Sequence, residues 1–315
     1  MTSKFEAIER ASKYSAKKLG QIRRSLARAN LGEDICVVIT GSFGRKEASG
    51  ESDVDFFLIH NSRVKASSAK SHKRIVESKI DKLVAKPPAK DGAFNATASV
   101  GELIKNIGGT KESNQMMTRR MLLMLEGACI YNETLFNDVR RQILSRYISP
   151  EITNHQLALF FLNDVIRYYR TMCVDFEYKT VEQQKPWGIR NLKLMYSRKL
   201  LYFGGVLAVA ESAQRGYEAK MKWITDLLQL TPLERIRGLY GSQANECLGF
   251  YDRFLERISD VDFRKSLVKV TIERDTHTSE FRALKDEAQH FGWALQRLLE
   301  SRYVSGHPIH RALIF

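Results

Sequence analysis

The chain has 315 residues, 43% of them hydrophobic, and a formal net charge of +14. That length and apolar content suffice for a sizeable core and point to two domains. No apolar run reaches the roughly 18 to 20 residues that a bilayer span needs, and the opening stretch lacks the apolar centre of a secretion signal, so a cytoplasmic setting without a membrane partner is expected. Four scattered cysteines, Cys36, Cys129, Cys173 and Cys247, form no Cys-x-x-Cys pair, which argues against a zinc ribbon or a disulfide framework.

Phe5, Ile8, Leu19, Ile22 and Leu26 share one face of a first helix that Gly32 ends, and an apolar strand over Ile35 to Ile39 follows. This strand runs into Gly41-Ser42, and a second strand over Val54 to Ile59 is introduced by Asp53 and Asp55. Side chains two apart in a strand point to one face, so both carboxylates stand together. Two neighbouring carboxylates repel unless a cation joins them. Mg²⁺ suits the pair, with Mn²⁺ as an alternative, because such hard cations take carboxylate oxygens and complete their shell with substrate phosphates. Gly41 and Gly44 permit close approach of phosphate oxygens to backbone N–H groups, and the Ser42 hydroxyl adds a donor. The layout therefore suits a nucleoside triphosphate, an NTP or dNTP such as ATP, with Asp53, Asp55 and Ser42 as the catalytic set.

Beyond the second strand, SSAKSHKRIVESKIDKLV reads as an exposed basic helix that stops before Pro87-Pro88. A third strand is expected over Ala93 to Val100. Leu103 to Ile107, a break at Gly108-Gly109 and the apolar helix QMMTRRMLLMLEG come next. From about residue 133 the pattern is helical, with one long helix read through GIRNLKLMYSRKLLYFGGVLAVAESA and another through TSEFRALKDEAQHFGWALQRLLESRY. The expected fold is α+β: a small catalytic domain with a mixed sheet over residues 1–148, then an α-helical domain over 149–315.

Charge is unevenly spread. Residues 1 to 30 hold eight Lys/Arg against two acids, and residues 61 to 90 hold nine against two. Thirteen of the fourteen excess charges thus flank the Asp-x-Asp motif, which favours a polyanionic partner such as nucleic acid over a general solubility surplus; a solvated basic helix face is the plainer alternative.

Gly41, Ser42, Phe43, Gly44, Arg45, Glu47, Ser52, Asp53 and Asp55 together resemble the signature of the DNA polymerase β-like nucleotidyltransferase superfamily, most closely its bacterial branch containing the protein PII uridylyltransferases. MLEGACIYNETLFNDV is similar to the stretch that follows the catalytic strands in that branch. The resemblance covers about the first 145 residues and implies metal-dependent transfer of a nucleoside monophosphate, with Gly41, Ser42, Gly44 and Arg45 binding nucleotide and Asp53 and Asp55 binding metal. It also implies a third carboxylate from the third strand. This chain offers Asn95 there, with Asp91 and Glu102 as neighbouring acids.

The β- and γ-phosphates need a basic group. Arg190, Lys193 and Ser197 in WGIRNLKLMYSRKLL fall at helical spacings of three and four and are expected to share a face, similar to the superfamily's Lys/Ser clamp. Trp187 or Tyr196 could stack on a base, although core packing is the commoner use of a helical aromatic. Arg302 and His307 show the Arg-x4-His spacing of a ribonuclease fold, but Gly306 and Pro308 place them at a helix end.

The function expected is transfer of a nucleoside monophosphate from an NTP or dNTP to an acceptor hydroxyl with release of pyrophosphate. A nucleic-acid end is the favoured acceptor, as in terminal transferases, tRNA-directed toxins or, for oligonucleotide products, antiviral defence. The alternatives are a protein hydroxyl, including one of the chain's own, and a degenerate member that binds nucleotide without turnover, as Asn95 suggests. Toxin-like or defence members imply a partner protein, an antitoxin or an effector.

Overall fold

The computed structural model describes residues 4–86 and 96–314. It begins with α1 (Glu6–Ala27), β1 (Ile35–Thr40), a one-turn α2 (Gly41–Gly44), β2 (Asp55–His60), α3 (Ala66–Asp81) and β3 (Ala96–Ser99). Then come α4 (Val100–Ile104), α5 (Asn114–Leu125), β4 (Ala128–Tyr131) and α6 (Glu133–Tyr147). The remainder is helical: α7 (Leu159–Val181), α8 (Trp187–Lys193), a π turn (Leu194–Arg198), α9 (Lys199–Ala210), α10 (Tyr217–Gln229), α11 (Pro232–Tyr240), α12 (Asn245–Ser259), α13 (Val261–Val268), α14 (Ser279–Arg302) and α15 (Pro308–Ile314). This is the α+β architecture expected, a mixed sheet with helices followed by a helical region.

Contacts divide the chain into two compact units, Arg10–Ile152 and Thr153–Phe315 together with the residues up to Glu9. In the first unit the strand order is β3-β2-β1-β4, with β1 antiparallel to β2 and β4, and β2 parallel to β3. Every residue of β1 is buried, which marks a central strand covered on both faces. Ile35, Val37 and Ile39 pack with Phe56 and Leu58 of β2, with Ile22 and Leu26 of α1, and with Val76 and Ile80 of α3. On the other side α5 and α6 pack against β1.

Two elements differ from the sequence expectation. The four-residue β4 is not legible in the apolar run it belongs to; Asn132, in the left-handed region at φ 62°, ends it and caps α6 by accepting from Leu135 N. The long helix read through residues 188–213 is interrupted by the π turn, which shifts the phase of every side chain after Lys193. Tyr196 of this turn anchors the helical core, stacked on Phe254 at 4.4 Å and Phe291 at 5.2 Å, with its hydroxyl donating to Leu284 O at 2.9 Å. Expected residues 87–95 of the third strand and its approach, Asn95 and Asp91 among them, lie outside the described residues.

Candidate active site

The motif's geometry begins at the β1–β2 pair. Thr40, the last residue of β1, stands opposite Asp55, the first of β2. Around Asp55 burial alternates: Asp53 and Asp55 are partly exposed, while Val54 and Phe56 are in the core. This alternation, which begins just ahead of β2, leaves both carboxylates partly exposed beside two core side chains. Gly41 closes against Asp55. Its φ is +66°, and a Cβ added there would lie 2.6 Å from Asp55 Oδ2, so only glycine lets the carboxylate lie over this turn.

The turn itself is held from beneath by Glu126, at the C-terminal end of α5. Its carboxylate is buried; Oε1 accepts from Gly41 N at 2.9 Å and Oε2 from Arg45 Nη1 at 2.5 Å. Arg45 also donates from Nε to Glu47 Oε2 at 2.8 Å. Gly44 completes the fit, since a Cβ there would come within 2.5 Å of Glu126 O. Ser15 of α1 ties down the following loop, donating to Ala11 O and accepting from Ala48 N at 3.0 Å. Ser49 and Ser52 then bond each other's backbone. These bonds fix the segment that delivers Asp53 and Asp55, the kind of support that preorganises a site.

The expected nucleotide-binding residues therefore fall into two groups. Gly41, Ser42, Gly44 and Asp55 are brought together at the end of the β1–β2 pair, with Asp53 two residues ahead of the strand. Arg45 belongs to the same turn but is only 5% exposed and engaged with two carboxylates, so its place is that of a brace beneath the turn. Glu126 was not singled out from the sequence. Its one signal is an acid at the end of an otherwise apolar helix run, followed by Gly127, where a Cβ would meet Leu123 O at 2.6 Å.

The chemistry fits a divalent cation. The carboxylates of Asp53 and Asp55 are hard oxygen donors of the kind such a cation takes, and the buried Thr40 hydroxyl beside Gly41 has no hydrogen-bond partner among the described residues. No cluster of three or more His, Cys, Asp or Glu side chains occurs among the described residues. Glu102, one of the acids considered for the third position, is committed elsewhere: it is exposed and its Oε2 accepts from Ser99 N at 2.7 Å in the capping box of α4.

A family model described as a nucleotidyltransferase domain matches residues 19–99. This protein is a nucleotidyltransferase. The match takes in the last part of α1 from Leu19, the β1–β2 pair, the Asp-x-Asp motif and β3, and supports the polymerase β-like superfamily. Glu126, which braces the turn, lies beyond it. No curated protein and no solved structure matches the chain. Among the described residues of the nucleotidyltransferase no helix is long and apolar enough to cross a membrane.

In the helical unit the expected basic face is dispersed. The Arg190 guanidinium donates to Thr180 Oγ1 at 3.2 Å and Phe176 O at 3.4 Å and lies 5.2 Å over the Phe176 ring. Burial lowers its pKa, opposed by Asp175. Lys193 is exposed, whereas Ser197, on the π turn, is buried and accepts from Tyr251 Oη at 3.2 Å. Arg190, Lys193 and Ser197 thus do not form one open stripe, because the π turn rotates Ser197 into the core. Trp187 is likewise a core residue, stacked on His277 at 5.4 Å. Arg302 is paired with Glu211 at 2.6 Å and His307 Nδ1 accepts from Ile309 N, so both serve the end of α14.

Proposed function

We propose that this nucleotidyltransferase moves a nucleoside monophosphate from an NTP or dNTP onto a nucleic-acid end, with Asp53 and Asp55 at the reaction centre. The observation that carries the proposal is the partly exposed Asp55 carboxylate lying against a glycine turn that a buried Glu126–Arg45 pair holds in place, with Asp53 partly exposed two residues before it. Asp53 and Asp55 would hold the divalent cation, Mg²⁺ or Mn²⁺, which when bound lowers the pKa of an attacking hydroxyl and shields the leaving pyrophosphate. The turn from Gly41 to Gly44 and the Ser42 hydroxyl orient the triphosphate. The acceptor oxygen forms a bond to the α-phosphorus as the bond to the α–β bridging oxygen breaks, and pyrophosphate leaves with that electron pair.

The acceptor is inferred from charge. The two basic segments contribute exposed cations on α1 and α3, among them Lys17, Arg24, Lys70 and Arg74, and such cations bind a polyanion through phosphate contacts and counterion release. This favours a tRNA or other nucleic-acid end, as a toxin or antiviral enzyme would use. The residue-level resemblance to the PII-modifying branch supports a protein hydroxyl as the second reading. Labelled NTPs and dNTPs with Mg²⁺, with and without bulk tRNA, separate the two: label on tRNA is expected, and label that appears only on protein and is protease-sensitive would replace this reading with the second.

A further inference from the structure

Within the helical unit, α7, α9, α14 and α15 line an open pocket of about 510 Å³, in the size range of ligand pockets. Its inner wall is apolar, from Phe203, Val206 and Leu295, and one side is the stacked pair Tyr169–Tyr202 with centroids 4.8 Å apart. Trp293 and Gln296 are exposed at its rim. The one charged residue among those lining it is Lys199, the first residue of α9. Gly292 makes room for it: a Cβ there would stand 3.1 Å from Lys199 Nζ. Among the described residues this ammonium has neither an acid nor a hydrogen-bond acceptor as partner, and burial lowers its pKa. Lys199 is partly withdrawn from water without a counter-ion, and an anionic ligand would offset that cost.

We infer that this pocket binds a small monoanion, a carboxylate with an aromatic or similarly apolar body, whose head sits on Lys199 and whose body fills the space between Phe203, Val206 and the tyrosine pair. Lys199 is the one cation lining the pocket, while Arg170 acts on the Tyr169 and Tyr202 hydroxyls from outside the lining. One lysine balances a carboxylate, whereas a phosphate dianion or a triphosphate would bring excess negative charge into an apolar wall with no second cation lining it. The site is separate from the Asp53–Asp55 turn and does not rest on the nucleotidyl-transfer reading.

The test uses two fluorescent probes on the full chain, anilinonaphthalene sulfonate and its uncharged counterpart phenylnaphthylamine, with naphthoate, naphthyl phosphate and Mg-ATP as competitors. One saturable site for the sulfonate probe is expected, displaced by naphthoate more readily than by naphthyl phosphate and not by Mg-ATP. Lys199→Met should weaken the sulfonate probe and naphthoate by at least about tenfold, leave phenylnaphthylamine within about threefold, and keep or raise Tm. No saturable binding, equal weakening of charged and uncharged probes, or unchanged affinity for the anions would overturn the proposal. So would preferential displacement by naphthyl phosphate, which marks a phosphate site, or by Mg-ATP, which marks a nucleotide pocket.

Discussion

In the α/β unit the acids of the sequence motif stand partly exposed at the end of a strand pair, on a turn braced by buried charges; in the helical unit the polar groups expected on an open face are largely drawn inward. Both regions contain Ser, Arg and Lys at suggestive spacings, yet only the first presents them. The difference lies in the backbone. A strand's two-residue period is imposed by the pleat; Asp55 opens β2, and with Val54 and Phe56 buried both Asp53 and Asp55 stay partly exposed. A helix face depends on an unbroken phase, and one π turn between Lys193 and Lys199 is enough to send Ser197 into the core beside Tyr251.

If the α/β site depends on its buried brace, the largest effect comes from Glu126→Gln. That change leaves Arg45 without one of its two buried acids and is expected to cost about 3–5 kcal/mol of stability in denaturant unfolding, as for other broken buried pairs. A loss below about 1 kcal/mol, the size of an exposed pair, would show that the turn does not depend on the Glu126–Arg45 pair. Gly41→Ala comes next. The new methyl meets Asp55 Oδ2 on a backbone of positive φ, so stability should fall by about 1–3 kcal/mol and turnover by about 10²-fold as the carboxylate is displaced.

Smaller effects sharpen the helical side. Ser197→Ala removes one hydrogen bond to Tyr251 and should cost about 1 kcal/mol in Tm-derived stability with KM for the nucleotide unchanged. Lys193→Ala, at an exposed position, should shift stability by no more than about 0.5 kcal/mol; a raised KM for the nucleotide would mark Lys193 as the remaining phosphate-binding group of the expected set. The smallest effect is pH-dependent. Burial alone would raise the Glu211 carboxyl, but hydrogen bonds from Arg302 and Tyr303 outweigh it and hold the pKa below the ordinary carboxylate value. A depressed folded pKa contributes stability above the unfolded value and loses it as pH falls through the folded one. Melting curves of Glu211→Gln should therefore lie below wild type at neutral pH and converge with it in acid; a gap that widens in acid would contradict this.

What was legible in the sequence follows the same physics. The Asp-x-Asp strand, the glycine turn and the basic helix over Ala66–Asp81 are local patterns, and each stands where its period puts it. Glu126 was not legible because its role comes from a contact 85 residues away in the chain, with Gly41 N. The short β4 carries too few residues for an alternation to be read, and only its pairing with β1 defines it. The π turn leaves no mark in a helical sequence that continues to repeat apolar residues at three and four. Arg45 reads as a phosphate ligand beside Gly44, and only the structure reveals the two acids buried against it.

Pyrophosphate release reports whether Asp53 and Asp55 perform nucleotidyl transfer. Purified protein with Mg²⁺, each NTP and dNTP and bulk tRNA should release pyrophosphate. Asp53→Asn and Asp55→Asn should each lower the rate by about 10²-fold or more while leaving Tm near wild type. Correctly folded variants that release pyrophosphate at the wild-type rate would contradict the assignment.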